Sequence, residues 1–334
     1  MAGENSVEKT VEKLAQAKKL LTDEIGKVII GQRAIIDHLL ITILCRGHAL
    51  MVGVPGLAKT LIVRTIAQVL DLKFSRIQFT PDLMPSDITG TDIIEEDPAT
   101  GHRRLEFIKG PIFANIILAD EINRTPPKTQ AALLQVMQEY QVTVGNKTFN
   151  MDLPFFVIAT QNPIEQEGVY PLPEAQLDRF MFNLRISYPS YKEEVLVVKN
   201  TTSTYEPHLD KVLTGDEILT LQDLVRKVPV SDEVVEYAVK LVSTSRPETD
   251  GAPDFVKQWV NWGASPRASQ YLILGAKALA LLKGNFSVSF NDVKTVAEPV
   301  LYHRIITNFH AKSEEVEVQD IIAKLISAVD GGSK

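Results

Sequence analysis

A chain of 334 residues with 45% hydrophobic and 23% charged content has the composition of ordinary globular protein, exceeds one average domain, and can build its core without covalent staples. The single cysteine, Cys45, excludes an internal disulfide framework and points to a reducing compartment. A net charge of −7 argues against a nucleic-acid-binding surface, and no apolar stretch reaches the ~18 residues of a membrane span, so a cytoplasmic protein without membrane insertion is expected.

The N-terminus is polar, with Glu4, Glu8, Lys9, Glu12 and Lys13, and has no apolar signal core. Across residues 6–27, Val7, Val11, Leu14, Leu21 and Ile25 recur at helical spacing and predict an amphipathic helix. Val28 to Gln32 reads as a connector before a helix over Arg33–Arg46. The apolar run His48–Val52 is a strand that runs into Gly53 and then into a helix beginning near Leu61. Four further apolar runs read as buried parallel strands: Phe74–Phe79, Asn115–Ala119, Phe155–Thr160 and Phe182–Ile186. Helical stretches such as Thr129–Tyr140 lie between most of them, which predicts a three-layer α/β domain with a parallel sheet.

Two inserts interrupt that alternation. Residues 85–110 carry a turn signal at Asp97–Gly101 between Ile93-Ile94 and Leu105–Phe107, the pattern of a projecting hairpin. Val142–Phe149 reads as a second hairpin around Gly145-Asn146. Beyond Pro189, Thr201–His208 has linker composition, and helices are expected over Asp216–Lys227, Asp232–Ser243, Ala268–Leu282 and Phe290–Tyr302. No strand-like run of note occurs there, and the tail Asp330–Lys334 is expected to fray.

The chemistry concentrates at strand ends. Gly53-Val54-Pro55-Gly56-Leu57-Ala58-Lys59-Thr60 joins a strand to the helix opened by Leu61, the geometry of a phosphate cradle. Lys59 can reach the β- and γ-phosphates, and the Thr60 hydroxyl can ligate Mg²⁺. The usual octet has Gly where this chain has Ala58, the smallest residue that tolerates a helical backbone. The run Ile116–Ala119 ends in Asp120 and Glu121 at the sheet edge, where α/β folds bind ligands. Asp120 would hold Mg²⁺ through water, and Glu121 would orient and deprotonate the attacking water. Asn162, at the end of the next strand, could sit beside the γ-phosphate and hold that water by its amide. Arg179, just before the last strand, and Arg267, after the N-cap and Pro signal of Ser265-Pro266, read from pattern alone as solvated surface charges.

In five ordered segments the chain resembles the AAA+ ATPases and, within them, the MoxR group: GVPGLAKT at 53–60, ILADEINR at 117–124, ATQNP at 159–163, YPLPEAQLDRF at 170–180 and GASPRA at 263–268. The resemblance runs from about Val28 to the C-terminus, and Ala58 is usual within that group. It implies an αβα P-loop ATPase core over 28–200, with hairpin inserts at about 85–110 and 142–149, followed by an all-α helical lid over 209–334; residues 1–27 form the separate N-terminal helix. It implies a homo-hexameric ring with ATP between subunits. There Arg179 matches the arginine finger acting on a neighbour's nucleotide, Arg267 the second sensor coupling the lid to the γ-phosphate, and Asn162 the first sensor. Gly31 and Gln32 match a segment near adenine, Gln78 a switch residue restraining Glu121, and the 85–110 hairpin a pore-facing insert. Arg124, three residues past the acidic pair, is a further candidate for the subunit interface.

The function so implied is an ATP-driven remodelling chaperone whose clients are proteins, among them proteins with von Willebrand factor A domains, the step served being metal insertion or complex assembly. Three other readings compete. A magnesium-chelatase motor would couple hydrolysis to inserting Mg²⁺ into a porphyrin. A nucleic-acid motor needs basic pore hairpins, whereas His102, Arg103, Arg104 and Lys109 stand against Asp92, Glu95, Glu96, Asp97 and Glu106. A non-hydrolysing nucleotide switch is opposed by Glu121. The histidines show no metal-ligand spacing; His303 and His310, two helical turns apart, suit solvated or core positions.

Overall fold

The computed structural model describes residues 16–96, 103–165, 168–204 and 207–331. The helix α1 is described over residues 16–26; Val7, Val11 and Leu14 of its expected face, and the 97–101 turn, lie outside the described residues. Chain order then runs α2 (Arg33–Leu44), β1 (Ala49–Val52), α3 (Lys59–Val69), β2 (Phe74–Gln78), α4 (Pro85–Thr89), β3 (Gly90–Glu96), β4 (Arg103–Lys109), β5 (Ile116–Asp120), α5 (Pro127–Glu139), β6 (Gln141–Val144), β7 (Lys147–Asn150), β8 (Phe156–Gln161), α6 (Glu174–Leu177) and β9 (Phe182–Arg185).

The long strands pair in parallel in the order β2-β5-β8-β1-β9, one five-stranded sheet. The central strands β1, β5 and β8 are apolar on both sides because both sides are covered, whereas the edge strands β2 and β9 carry the exposed polar residues Arg76 and Arg185. Successive side chains enter different cores. Ala49 and Met51, Ile116 and Leu118, and Phe156 and Ile158 pack with α1, α2 and α3. Leu50, Ile117, Ala119, Val157 and Ala159 pack with α5 and the base of the inserts.

Both inserts are hairpins. β3 pairs antiparallel with β4 from Gly90↔Lys109 to Glu96↔Arg103, and β6 pairs with β7 around Gly145. Phe107 of the first hairpin stacks on Phe149 of the second, with ring centroids 4.3 Å apart, so the two share a root. Gly110 closes that root: a Cβ there would lie 2.3 Å from the Ile88 carbonyl oxygen.

The rest is α7 (Tyr191–Thr201), α8 (Gly215–Lys227), α9 (Asp232–Ser243), α10 (Asp254–Trp259), β10 (Val260–Trp262), α11 (Pro266–Leu282), α12 (Phe290–Leu301), β11 (Ile306–Thr307), α13 (Phe309–Ser313) and α14 (Val318–Gly331). Ser and Thr N-caps with an acid at the third helical position open α7, α8 and α12. The lid is helical as expected, with one addition: β10 and β11 form a small antiparallel pair. Strands of three and two residues are too short to carry a hydrophobic period.

The lid shares one apolar cluster with the α2 face of the sheet. Gln222 donates to the Ile43 carbonyl at 2.8 Å, and the Cys45 thiol, pushed up by burial, lies 3.3 Å from the Leu274 carbonyl oxygen. The main polar tie is Arg304, which is 5% exposed. Its Nε donates to Asp178 Oδ1 at 2.6 Å, and its terminal nitrogens donate to the carbonyls of Asp178, Phe180, Met181 and Val300. A buried guanidinium is stable only when its donors are matched in this way. Truncation would leave Asp178 to Ser265 and Arg267 alone and strand several carbonyls. Arg304→Ala is therefore expected to lower unfolding free energy by about 3–5 kcal/mol, read as a shift of the urea midpoint.

Candidate nucleotide site

The phosphate loop lies between β1 and α3. Gly53 is buried where β1 passes β9, and a Cβ there would come within 3.0 Å of the Ile186 carbonyl oxygen. Gly56 has φ 86°, a conformation that favours glycine. The expectation for Ala58 needs correction: it is the residue before α3 and sits at φ 55° and ψ 21°, left-handed rather than helical. The glycine usual at this position relieves that cost, and the chain carries it with Ala instead. Pro55, Gly56 and Ala58 are exposed, and no acid occupies the first turn of α3, so the helix N-terminus faces solvent with its positive end open to an anion.

Lys59 turns back to donate to the Gly53 carbonyl across the loop. Burial pushes its ammonium below the usual lysine range, while the charges of Asp120, Glu121 and Glu165 act in the opposite direction. The loop follows β1, which lies beside β8 and, through it, β5, so the two halves predicted from separate motifs belong to one site.

Asp120 ends β5 and is nearly buried. Its Oδ1 accepts from Thr160 Oγ1 at 2.6 Å, and its Oδ2 accepts from Arg76 Nε at 3.0 Å and Nη2 at 2.6 Å. Glu121 follows at φ 57°, a left-handed position that turns its side chain out of the strand. Its backbone N–H donates to Thr160 Oγ1 at 2.8 Å, and its Oε2 accepts from Gln78 Nε2 at 3.0 Å and Arg124 Nη1 at 3.1 Å. Gln78 therefore touches the carboxylate that the resemblance assigned it. Arg124 joins the same network instead of standing apart. Asn162 is buried at the end of β8 and donates from Nδ2 to Glu165 Oε1 at 2.8 Å.

A cavity of about 120 Å³ adjoins the loop, lined by Val28, Ile29, Gln32, Gly56, Leu61 and Pro189 among others. Gly31, at φ 72°, and Gln32 thread the connector past it; Gln32 Nε2 donates to the Ser187 carbonyl at 2.9 Å. The cavity is apolar and opens beside the cradle, which suits a flat heteroaromatic ring joined to phosphates.

Arg179 and Arg267 are not brought to the phosphate loop of their own chain. They line a separate cavity of about 420 Å³ with Arg46, Tyr140 and Tyr271. Arg179 Nη1 donates to the Leu134 carbonyl at 3.1 Å, and Arg267 Nη1 pairs with Asp178 Oδ2 at 3.3 Å. Sequence reasoning missed Arg76, Glu165, Asp178 and Arg304. The signal for Arg76 was available: an arginine inside an apolar strand needs an acid on a neighbouring strand. Among the described residues, no group of three or more His, Cys, Asp or Glu side chains could hold a metal.

Residues 48–182 match the model of the ATPase family associated with various cellular activities (AAA), and residues 255–325 match that of the AAA lid domain. The chain is 45% identical to "Chaperone MoxR1" of Mycobacterium tuberculosis over 92% of its own length and 80% of the relative's. It is 30% identical to "Protein MoxR" of Paracoccus denitrificans over 90% and 91% of the two chains. The crystal structure of a protein from Cytophaga hutchinsonii proposed to be an ATPase superposes with a TM-score of 0.90 at 42% identity, covering 98% of each chain.

The left-handed alanine gives a direct test of the loop's backbone. Ala58→Gly is expected to raise stability by about 0.5–1 kcal/mol, the relieved strain less the added freedom of the unfolded chain, with nucleotide binding retained. Paired urea titrations and nucleotide titrations check it.

Proposed function

This chain belongs to the MoxR family of AAA+ ATPases, and from that premise we propose that ATP turnover at its phosphate loop drives the remodelling or assembly of client proteins. It binds nucleotide and hydrolyses ATP. In this reading Gly53 to Ala58 cradle the phosphates, Lys59 leaves the Gly53 carbonyl for the β- and γ-oxygens, and Gly31, Gln32 and Leu61 border adenine. Thr60 and Asp120 would hold Mg²⁺. One hydroxyl and one carboxylate suit that hard cation only when phosphate oxygens and water complete the set. When bound, the ion neutralises charge between the β- and γ-phosphates.

Glu121 accepts the proton of the attacking water, and Asn162 positions that water against the γ-phosphate. The observation that carries this reading is the strand order, which sets the phosphate loop after β1 beside the ends of β8 and β5, where Asn162, Asp120 and Glu121 stand. Glu121 must leave Gln78 and Arg124 to act as a base, and Asn162 must leave Glu165. The described conformation has the hydrogen bonds of a resting site.

Arg179 and Arg267 are proposed to act as arginine finger and second sensor. Their shared cavity, distinct from the loop, supports a role for Arg179 at a neighbour's nucleotide in a homo-hexamer. Core–lid motion would carry the work, against the Arg304 latch. The β3–β4 hairpin supports protein clients over nucleic acid. Arg103 and Arg104 are neutralised by Glu96 and Glu95, while Ile94 and Leu105, a cross-strand pair, are 69% and 65% exposed. Clients with von Willebrand factor A domains, metal insertion into them, and a cytoplasmic setting belong to the same proposal. No helix among the described residues is long and apolar enough to cross a membrane.

Glu121→Gln is expected to retain ATP while hydrolysing it ~10²–10⁴-fold more slowly, measured as phosphate release beside equilibrium nucleotide binding. Unchanged turnover would require another base. Arg179→Ala, inactive alone, is expected to regain turnover when mixed with Glu121→Gln, because mixed rings contain interfaces that pair an intact finger with an intact base. No recovery at any ratio would reject shared sites.

A further inference from the structure

β2 contributes two polar side chains to the site, two residues apart and so on one face of the strand. Arg76 grips Asp120 Oδ2 with Nε at 3.0 Å and Nη2 at 2.6 Å, and its Nη2 also donates to Gln78 Oε1. A guanidinium has donors only, so the Gln78 amide must present its oxygen to Arg76. That leaves Gln78 Nε2 for Glu121 Oε2, at 3.0 Å. The orientation of the switch amide is thus set by the arginine. Asp120, Arg76, Gln78 and Glu121 form one chain of hydrogen bonds that joins the two acids outside the strand.

Arg76 and Asp120 differ in solvation. The arginine side chain is 47% exposed and the aspartate 12%. Arg76 can swing into water without stranding a buried cation, whereas Asp120 needs positive charge beside it. Both its oxygens are engaged, Oδ1 by Thr160 and Oδ2 by Arg76. A divalent cation drawing on this carboxylate meets a hydroxyl on one oxygen and a full positive charge on the other.

We propose that Arg76 is a positioning residue that competes with the divalent cation for Asp120, and that its departure frees Gln78 to release Glu121. The exchange ties arrival of the metal–nucleotide to freeing of the base: while Arg76 holds Asp120, Gln78 holds Glu121. This rests on the reading that Asp120 serves the cation.

The test is a Mn²⁺ titration followed by electron paramagnetic resonance, on full-length protein at saturating ADP, for the wild type, Arg76→Ala and Arg76→Lys. Removing the competitor is expected to lower the Mn²⁺ half-saturation about tenfold in Arg76→Ala, since hydrogen bonds to charged groups are the strong ones. Arg76→Lys keeps the charge without the bidentate grip and should fall between. Tighter metal binding is a gain that a misfolded variant cannot produce. Unchanged or weaker Mn²⁺ binding in Arg76→Ala, with ADP still bound, would overturn the proposal and show that Arg76 merely supports Asp120. Failure of the wild type to bind ADP, with or without Mn²⁺, would instead reject the nucleotide-site reading on which it rests.

Discussion

Two carboxylates at the end of one buried strand set the terms for everything around them. Asp120 and Glu121 are consecutive, and like charges so placed are costly unless donors and cations surround them. Thr160 from β8, Arg76 and Gln78 from β2, and Arg124 from the turn after β5 meet that demand. The left-handed backbone at Glu121 is part of the same solution, because it sends the second carboxylate away from the first. The order of the strands follows the chemistry: β2, β5 and β8 are neighbours, so their C-terminal ends can share one polar cluster, while β1 brings the phosphate loop beside it.

The sheet was legible because its central strands are apolar on both sides and its strands end in turn or polar residues. The helices of the lid were legible where an amphipathic period was clean, as in α8 and α9. What was missed has physical causes. α7 buries none of its residues and exposes Leu196 and Val198, so it carries no stripe to read. The β10–β11 pair is made by tertiary packing on strands too short to announce themselves. α14, with Ile321, Leu325 and Val329 on one face, did have a readable period.

At the site, residues named by motif came together where the sheet brings its strand ends side by side: Lys59, Asp120, Glu121 and Asn162 lie at the ends of β1, β5 and β8 or just beyond them. Sequence reasoning did not reach the partners that restrain them: Arg76 pairs across strands, which depends on register, and Glu165 folds back on Asn162 from the loop after β8. An arginine within β2 announces the need for an acid, but only the register Gln78↔Asp120 shows which acid it meets. Ala58 went wrong for a related reason: residue type was read correctly but backbone conformation was not.

The lid's hold on the segment before β9 has a mechanical meaning. The carbonyls of Asp178, Arg179 and Phe180 are all gripped from the lid, the first and third by Arg304 and the middle one by the Tyr271 hydroxyl at 3.2 Å. His303 adds a contact to Phe180 at 3.1 Å. Arg179 therefore rides on a backbone that is steered by the C-terminal helices as much as by the sheet. Tilting those helices would shift the backbone that carries the guanidinium, so the angle of the lid bears on the aim of Arg179.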